Sequence, residues 1–233
     1  MRLTVFGATG GIGQEIVRQA VAAGHEVTAV VRDPARLPVP LSDVTVRTPA
    51  RIDDPEGLRE AVAGRDAVLS GLGSRGRKAD GITERLTGSV IRAMEAEGTR
   101  RLLVVSAAPV APKPADDPLL DRMMLKAIGA ILKEVYTDLT LMEGALARSA
   151  TDWTSVRPPK LTNGPLTGRY RTVYGSNPRS GRSISRADVA HAMLALIDDP
   201  AAVKQGVGGA VVRPPPPPPP AALERLGRRG LRG

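Results

Sequence analysis

Four glycines stand within nine residues near the start of the chain, in the run VFGATGGIG from Val5 to Gly13. Glycine is the costliest residue to order, so such a cluster marks a tight turn or a close approach. Behind a strand and ahead of a helix, glycines let a pyrophosphate come close to the backbone. The helix N-terminus then offers unpaired N–H groups and a partial positive charge. Gly7, Gly10 and Gly13 have the spacing GxxGxxG. A second group follows in VVRDPAR, at the expected end of the second strand. A carboxylate there would bond the ribose hydroxyls of NAD. Arg32 and Arg36 offer two guanidinium groups instead, which suit a 2′-phosphate, so NADP(H) is favoured over NAD(H). Asp33, standing before Pro34, fits an N-cap with proline at N1. A third group is SGLGSRGRK, from Ser70 to Lys78. Gly71 and Gly73 would let the backbone pass beside the middle of a dinucleotide, with Arg75, Arg77 and Lys78 facing phosphates, an anionic substrate or solvent.

The elements that must position these groups alternate between strand-like and helix-like patterns. Strands are expected over Arg2–Phe6, Glu26–Val31, Val44–Arg47, Asp66–Ser70, Arg101–Val105, Asp152–Val156 and Val207–Val212. Helices are expected over Gly11–Ala23, Pro55–Val62, Thr83–Glu97, most of Leu119–Ala150 and Arg186–Ile197. Gly24 and Gly98 are expected stops, and Asp54 an N-cap. Such β-α-β alternation implies an α/β fold: a Rossmann-like, doubly wound parallel sheet with a small C-terminal lobe. The expected organisation is one NAD(P)-binding domain over residues 1–212, with a substrate lobe around 158–185. Residues 213–233, with seven consecutive prolines at 214–220, read as a disordered tail or a ligand for a proline-recognising partner.

Composition narrows the function classes. The 233 residues contain no cysteine and two histidines. Disulfides, thiolate catalysis and cysteine-ligated zinc are excluded, and no metal site is expected. No apolar run approaches the ~20 residues of a membrane span. With a strand at the N-terminus, a cytoplasmic location is expected. The net charge is +9. Residues 213–233 hold five arginines and one glutamate, hence +4 of that total, leaving +5 for residues 1–212. Basic and aromatic residues do not interleave, so a small-molecule partner is expected rather than nucleic acid, in a monomer or small homo-oligomer.

The motifs GATGGIG, VRDPARLP, DAVLSGLGSR, VVSAAP, VRPPKLTNGPLTGRYR and GRSISRADVAHAMLALI together resemble the atypical short-chain dehydrogenases. The resemblance, over about Arg2 to Asp199, is to their NAD(P)H-binding group that includes biliverdin-IXβ reductase, also called flavin reductase. It implies an NADPH-dependent oxidoreductase. Thr9, Gly10, Gly11 and Ile12 would lie on the pyrophosphate, and Arg32 and Arg36 on the 2′-phosphate. Leu72, Gly73 and Arg75 would flank the cofactor, and Pro158 to Leu161 would line the nicotinamide end. Ser106 would orient the carboxamide or the acceptor, and Lys160 would attract an anionic acceptor. These two are the candidate catalytic residues.

Three departures stand out against that pattern. Ala50-Arg51 replaces a Gly-Asp pair, so Arg51 would sit beside the adenine. Ser106 is followed by Ala107 where a second hydroxyl is common. Lys160 stands where the type protein has histidine. No Tyr-x-x-x-Lys exists: Tyr136 is followed four residues later by Thr140. Alcohol–ketone chemistry and sugar-nucleotide epimerisation, which use that relay, are disfavoured. The expected reaction is hydride transfer to a conjugated acceptor such as a flavin, quinone or tetrapyrrole, with a flavin passing through as substrate. The alternative is a non-catalytic NADP-binding redox sensor or partner-binding protein.

Overall fold

The first strand, β1 (Arg2–Phe6), buries every residue from Leu3 to Phe6. A strand apolar on both faces belongs at the centre of a parallel sheet covered on both sides. In the computed structural model, which describes residues 1–73, 81–111, 132–178 and 183–211, β1 lies between two parallel neighbours, β2 (Glu26–Val30) and β4 (Ala67–Ser70). With β3 (Thr45–Arg47), β5 (Arg101–Val105), β6 (Asp152–Arg157), β8 (Tyr170–Tyr174) and β10 (Gln205–Val211), the sheet runs β3-β2-β1-β4-β5-β6-β10-β8. Among the described strands of this sheet only β8 is antiparallel to its neighbour. The chain winds outward one way through β2 and β3, then returns to wind the other way from β4. That reversal opens a crevice beyond the carboxyl ends of β1 and β4, where ligands of such sheets sit.

Among the described residues five helices cover the two faces: α1 (Gly11–Ala22), α2 (Pro55–Val62), α3 (Ile82–Glu97), α4 (Lys133–Arg148) and α5 (Arg186–Ala195). On one face Ile12, Ile16, Val17 and Ala20 of α1 join Val189, Ala190 and Met193 of α5 over Leu3, Val5 and Leu69. On the other, Leu58 of α2, Val90 and Met94 of α3, and Leu139, Met142 and Leu146 of α4 pack over Phe6, Val68 and Leu102. Each fully buried aliphatic side chain contributes about 1.5–3 kcal/mol, so aliphatics suffice where aromatics are scarce.

Helix ends follow the expected punctuation. Asp54 accepts from the Glu56 N–H at 3.2 Å, and Gly98 closes α3 at φ +69°. α1 ends at Ala22, two residues before Gly24, which takes φ +77°. Arg101 is buried and donates to the carbonyls of Leu196 and Ile197 at the end of α5, at 2.5 and 2.8 Å. Burial lowers its pKa, and those carbonyls at a helix C-terminus suit a cation.

The region 158–185 holds three short strands that the sequence pattern leaves unread. β7 (Lys160–Thr162) pairs with β9 (Ser183–Ser185) in a separate two-stranded sheet, while β8 closes the edge of the main one. Three residues are too few to show alternation. β6 extends one residue further than expected, to Arg157, and β10 starts two residues earlier, at Gln205. Of the helix expected over Leu119–Ala150, the described part is α4. Gly129, Arg75, Arg77, Lys78, residues 112–118 and the tail 213–233 lie outside the described residues. Among the described residues no helix is long and apolar enough to cross a membrane, and no cluster of metal-ligating side chains occurs.

Candidate cofactor and active site

The glycines divide into two kinds. Gly7, Gly13 and Gly71 interlock backbone to backbone. Gly7 takes φ +68°, and a Cβ on it would stand 2.8 Å from the Gly71 carbonyl. A Cβ on Gly13 would lie 2.0 Å from the Gly7 oxygen, and one on Gly71 3.0 Å from the Gly13 nitrogen. These three bring β1, α1 and the exit of β4 into direct contact. Gly10 and Gly11 instead face the crevice. Gly10 is the extended N-cap of α1; its N–H donates to the Gly7 oxygen at 2.8 Å. Gly11 is exposed, Thr9 half-buried, and Ile12 anchored in the core. No side chain caps α1 and no acid stands in its first turn. Its leading N–H groups therefore remain for an anion.

At the end of β2, Arg32 and Arg36 are exposed, and neither forms an ion pair among the described residues. Asp33 accepts from the Ala35 N–H at 3.1 Å, the expected cap. Gln14 of α1 donates to the Arg36 carbonyl at 3.3 Å, tying this turn to the glycine loop. Arg51, expected beside the adenine, has a partner of its own. It makes a two-pronged pair with Asp53, at 3.1 and 3.3 Å. The hydrogen bond to Asp53 raises its pKa, and the same contact holds the Asp53 carboxyl low.

Leu72 packs half-buried on the second core. A Cβ on Gly73 would meet nothing within 4 Å. Among the described residues, packing thus demands glycine at Gly71 and not at Gly73.

The exits of β5 and β6 form the third wall. Ser106 is buried; its N–H donates to the Val156 carbonyl at 2.7 Å, and its Oγ has no partner at full hydrogen-bond geometry. Behind it lies a buried charged pair. Glu143 of α4 accepts from Ser155 Oγ at 2.7 Å and Arg157 Nε at 2.9 Å, and also pairs with Arg157 Nη2. Burial pushes the Glu143 carboxyl up, but Arg157, Ser155 and Ser106 together hold it below its ordinary value. Ala108 N–H donates to the Pro158 carbonyl at 2.9 Å, and Asn177 Nδ2 to the Ala108 carbonyl at 2.7 Å. Pro158 is buried beside Val156, Ile184 and Val207 around a small apolar space. Leu161 packs on the first core, and Lys160 is exposed. The Tyr136–Thr140 spacing yields no relay: the Thr140 hydroxyl donates to the Tyr136 carbonyl at 2.8 Å.

Four contributors escape sequence reasoning: Glu143, Asn163, Arg186 and Asp188. Asp188 explains the PLTG motif. It accepts from the N–H groups of Thr167 and Gly168, at 2.8 and 2.9 Å, and from Thr167 Oγ1 at 2.9 Å. Ser185 caps α5 by accepting from the Asp188 N–H at 2.9 Å. That Ser-x-x-Asp spacing was a readable signal. The other three carry none, because their partners are remote in sequence.

A family model described as NAD(P)H-binding matches residues 7–200. Two curated relatives match over part of the chain. The photosystem II assembly factor Ycf39 of Synechocystis is 32% identical over 148 residues, 61% of this chain and 44% of that protein. The 3-diazoavenalumate denitrifying reductase of a Streptomyces species is 35% identical over 129 residues, 52% of this chain and 42% of that protein. The matches therefore span less than half of each relative. Among solved structures, the anaerobillin reductase ChuY from Escherichia coli O157:H7 superimposes with a TM-score of 0.74 at 22% identity, covering 92% of this chain and all (100%) of that one. The oxidoreductase ylbE from Lactococcus lactis gives 0.76 at 18% identity, covering 91% and 92%. Both likenesses establish the fold. The interlocked glycine loop, the sheet order and a family match over most of the chain lead to one conclusion: the chain belongs to the NAD(P)H-binding family.

Proposed function

We propose that the protein is an NADPH-dependent reductase that passes hydride to a conjugated acceptor such as a flavin, a quinone or a tetrapyrrole. The observation that carries this reading is Ser106: one buried hydroxyl at the end of β5, facing the Glu143 carboxylate and with no other partner among the described residues, with Ala107 beside it. A ketone reductase needs a protein acid at this place; a conjugated acceptor spreads the incoming charge and can take its proton from water. The reduced nicotinamide supplies the hydride. The chain's own residues bind and orient. The first-turn N–H groups of α1 hold the pyrophosphate, Arg32 and Arg36 the 2′-phosphate, and Leu72 and Gly73 the middle of the cofactor. Ser106 Oγ accepts from or donates to the carboxamide or the acceptor. Lys160, exposed and outside any ion pair among the described residues, attracts an acceptor bearing phosphate or carboxylate.

The test is NADPH oxidation with FMN, riboflavin, a quinone and a linear tetrapyrrole, beside a simple ketone. Turnover with at least one conjugated acceptor and none with the ketone supports the reading. A second reading, an NADP-binding sensor or partner-binding protein, draws on Ala107 and on the relative named as an assembly factor. Tight NADPH binding with no turnover of any acceptor would favour it.

A further inference from the structure

Arg186 opens α5, yet its side chain lies over the start of α1. Its Cδ and Nε both stand 2.7 Å from the place a Cβ on Gly11 would occupy. Its Nη1 donates to Asn163 Oδ1 at 2.6 Å. No carboxylate pairs with it among the described residues. A cation at a helix N-terminus opposes the helix dipole and is unfavourable unless an anion comes between them. Two further features fit such an anion. The first turn of α1 has neither an acid nor a side-chain cap, and Gly11 keeps open the space through which the arginine stem passes.

We propose that Arg186 closes over the cofactor pyrophosphate, opposite the first-turn N–H groups of α1, with Asn163 as the positioning residue that aims it. This rests on the cofactor reading above. The guanidinium would then serve a phosphate group shared by NADPH and NADH, in contrast to Arg32 and Arg36. Asn163 follows directly on β7, whose Lys160 and Leu161 belong to the wall proposed for the acceptor. Seating the pyrophosphate would therefore fix that wall as well.

The experiment is calorimetric titration of the full chain with NADPH, NADH and adenosine 2′-monophosphate, which lacks the pyrophosphate. Arg186→Met, which keeps the stem and removes the charge, should weaken NADPH and NADH alike by about tenfold or more, the scale of a charge-assisted bond. Adenosine 2′-monophosphate should change less than about twofold, and Arg186→Lys should recover part of the loss. Asn163→Ala should weaken the dinucleotides several-fold, and adding it to Arg186→Met should cost almost nothing more, because it acts through the arginine. Unchanged dinucleotide affinity in a folded Arg186→Met, an equal loss for adenosine 2′-monophosphate, or additive effects of the two substitutions would overturn the proposal. Failure of the cofactor reading looks different: wild type itself would then bind neither dinucleotide, and the proposal would fall with it.

Discussion

The Glu143–Arg157 pair lies directly behind Ser106, so removing one partner tests how the site is supported. The two side chains are 12% and 10% exposed. That places the pair among buried ion pairs, where deleting one member costs about 3–5 kcal/mol, rather than among surface pairs worth about 0–1 kcal/mol. Glu143→Leu would strand the Arg157 guanidinium, which is pressed against Gly206 of β10: a Cβ there would stand 2.3 Å from its Cζ. It has no room to swing across that strand. Arg157→Met would strand the carboxylate. In a protein of this size each kcal/mol shifts the melting temperature by about 2–4 °C, so each single variant should melt roughly 6–20 °C lower. The double variant removes both charges and leaves Ser155 Oγ without its acceptor, at about 1–3 kcal/mol. It should therefore be more stable than either single variant. The assay is urea unfolding at neutral pH. Single variants within 1 kcal/mol of wild type, or a double variant that shows the sum of both losses, would refute the argument. The pH dependence has a definite sign. The folded carboxyl titrates below its ordinary value of 4.5. Its contribution is complete above that value and drains away as the pH falls through the folded pKa. Glu143→Leu should flatten that acid limb.

Wild type should bind NADPH more tightly than NADH, and Arg32→Ala should weaken NADPH about tenfold with NADH changed less than twofold, by titration. Gly13→Ala places a Cβ 2.0 Å from the Gly7 carbonyl oxygen, against backbone; it should cost about 3 kcal/mol or more and open the glycine loop, seen as lost cofactor binding. Gly73→Ala, with nothing within 4 Å, should keep wild-type stability within about 0.5 kcal/mol. If Lys160 recruits an anionic acceptor, Lys160→Ala should raise KM for FMN more than for uncharged riboflavin, and the gap should shrink with salt.

The sequence shows the fold wherever local signals repeat at one period. Leu3 to Phe6, the Ile12-Ile16-Ala20 stripe and the Asp54 cap each declare themselves within a few residues, and all lie where expected. The glycine loop is legible for the same reason: its four glycines fall within nine residues of sequence, Val5 to Gly13. The wall at β5 and β6 is not. Glu143 meets Arg157 across 14 positions, and Arg186 meets Gly11 from the far end of the chain, where α5 packs beside α1, so no short window of sequence contains both partners. Arg51 shows a different limit. Its partner Asp53 is only two residues away, but a two-residue spacing of opposite charges is common on a solvated loop and does not by itself specify an ion pair. The strands β7 and β9 exist by pairing with each other, and three residues apiece carry no periodicity of their own.

Single-turnover mixing of the protein with NADPH and an excess of the best conjugated acceptor, without oxygen, tests the central claim most directly. It should be run with NADPH and with NADPH carrying deuterium on the transferred position of the nicotinamide. The account predicts loss of the reduced-nicotinamide absorbance in step with acceptor reduction, slowed by the deuterium. Ser106→Ala should be slower with both, and wild type should show no titrating protein acid in the rate, because the proton is taken from water. Bound NADPH that stays reduced in the presence of every conjugated acceptor would contradict it.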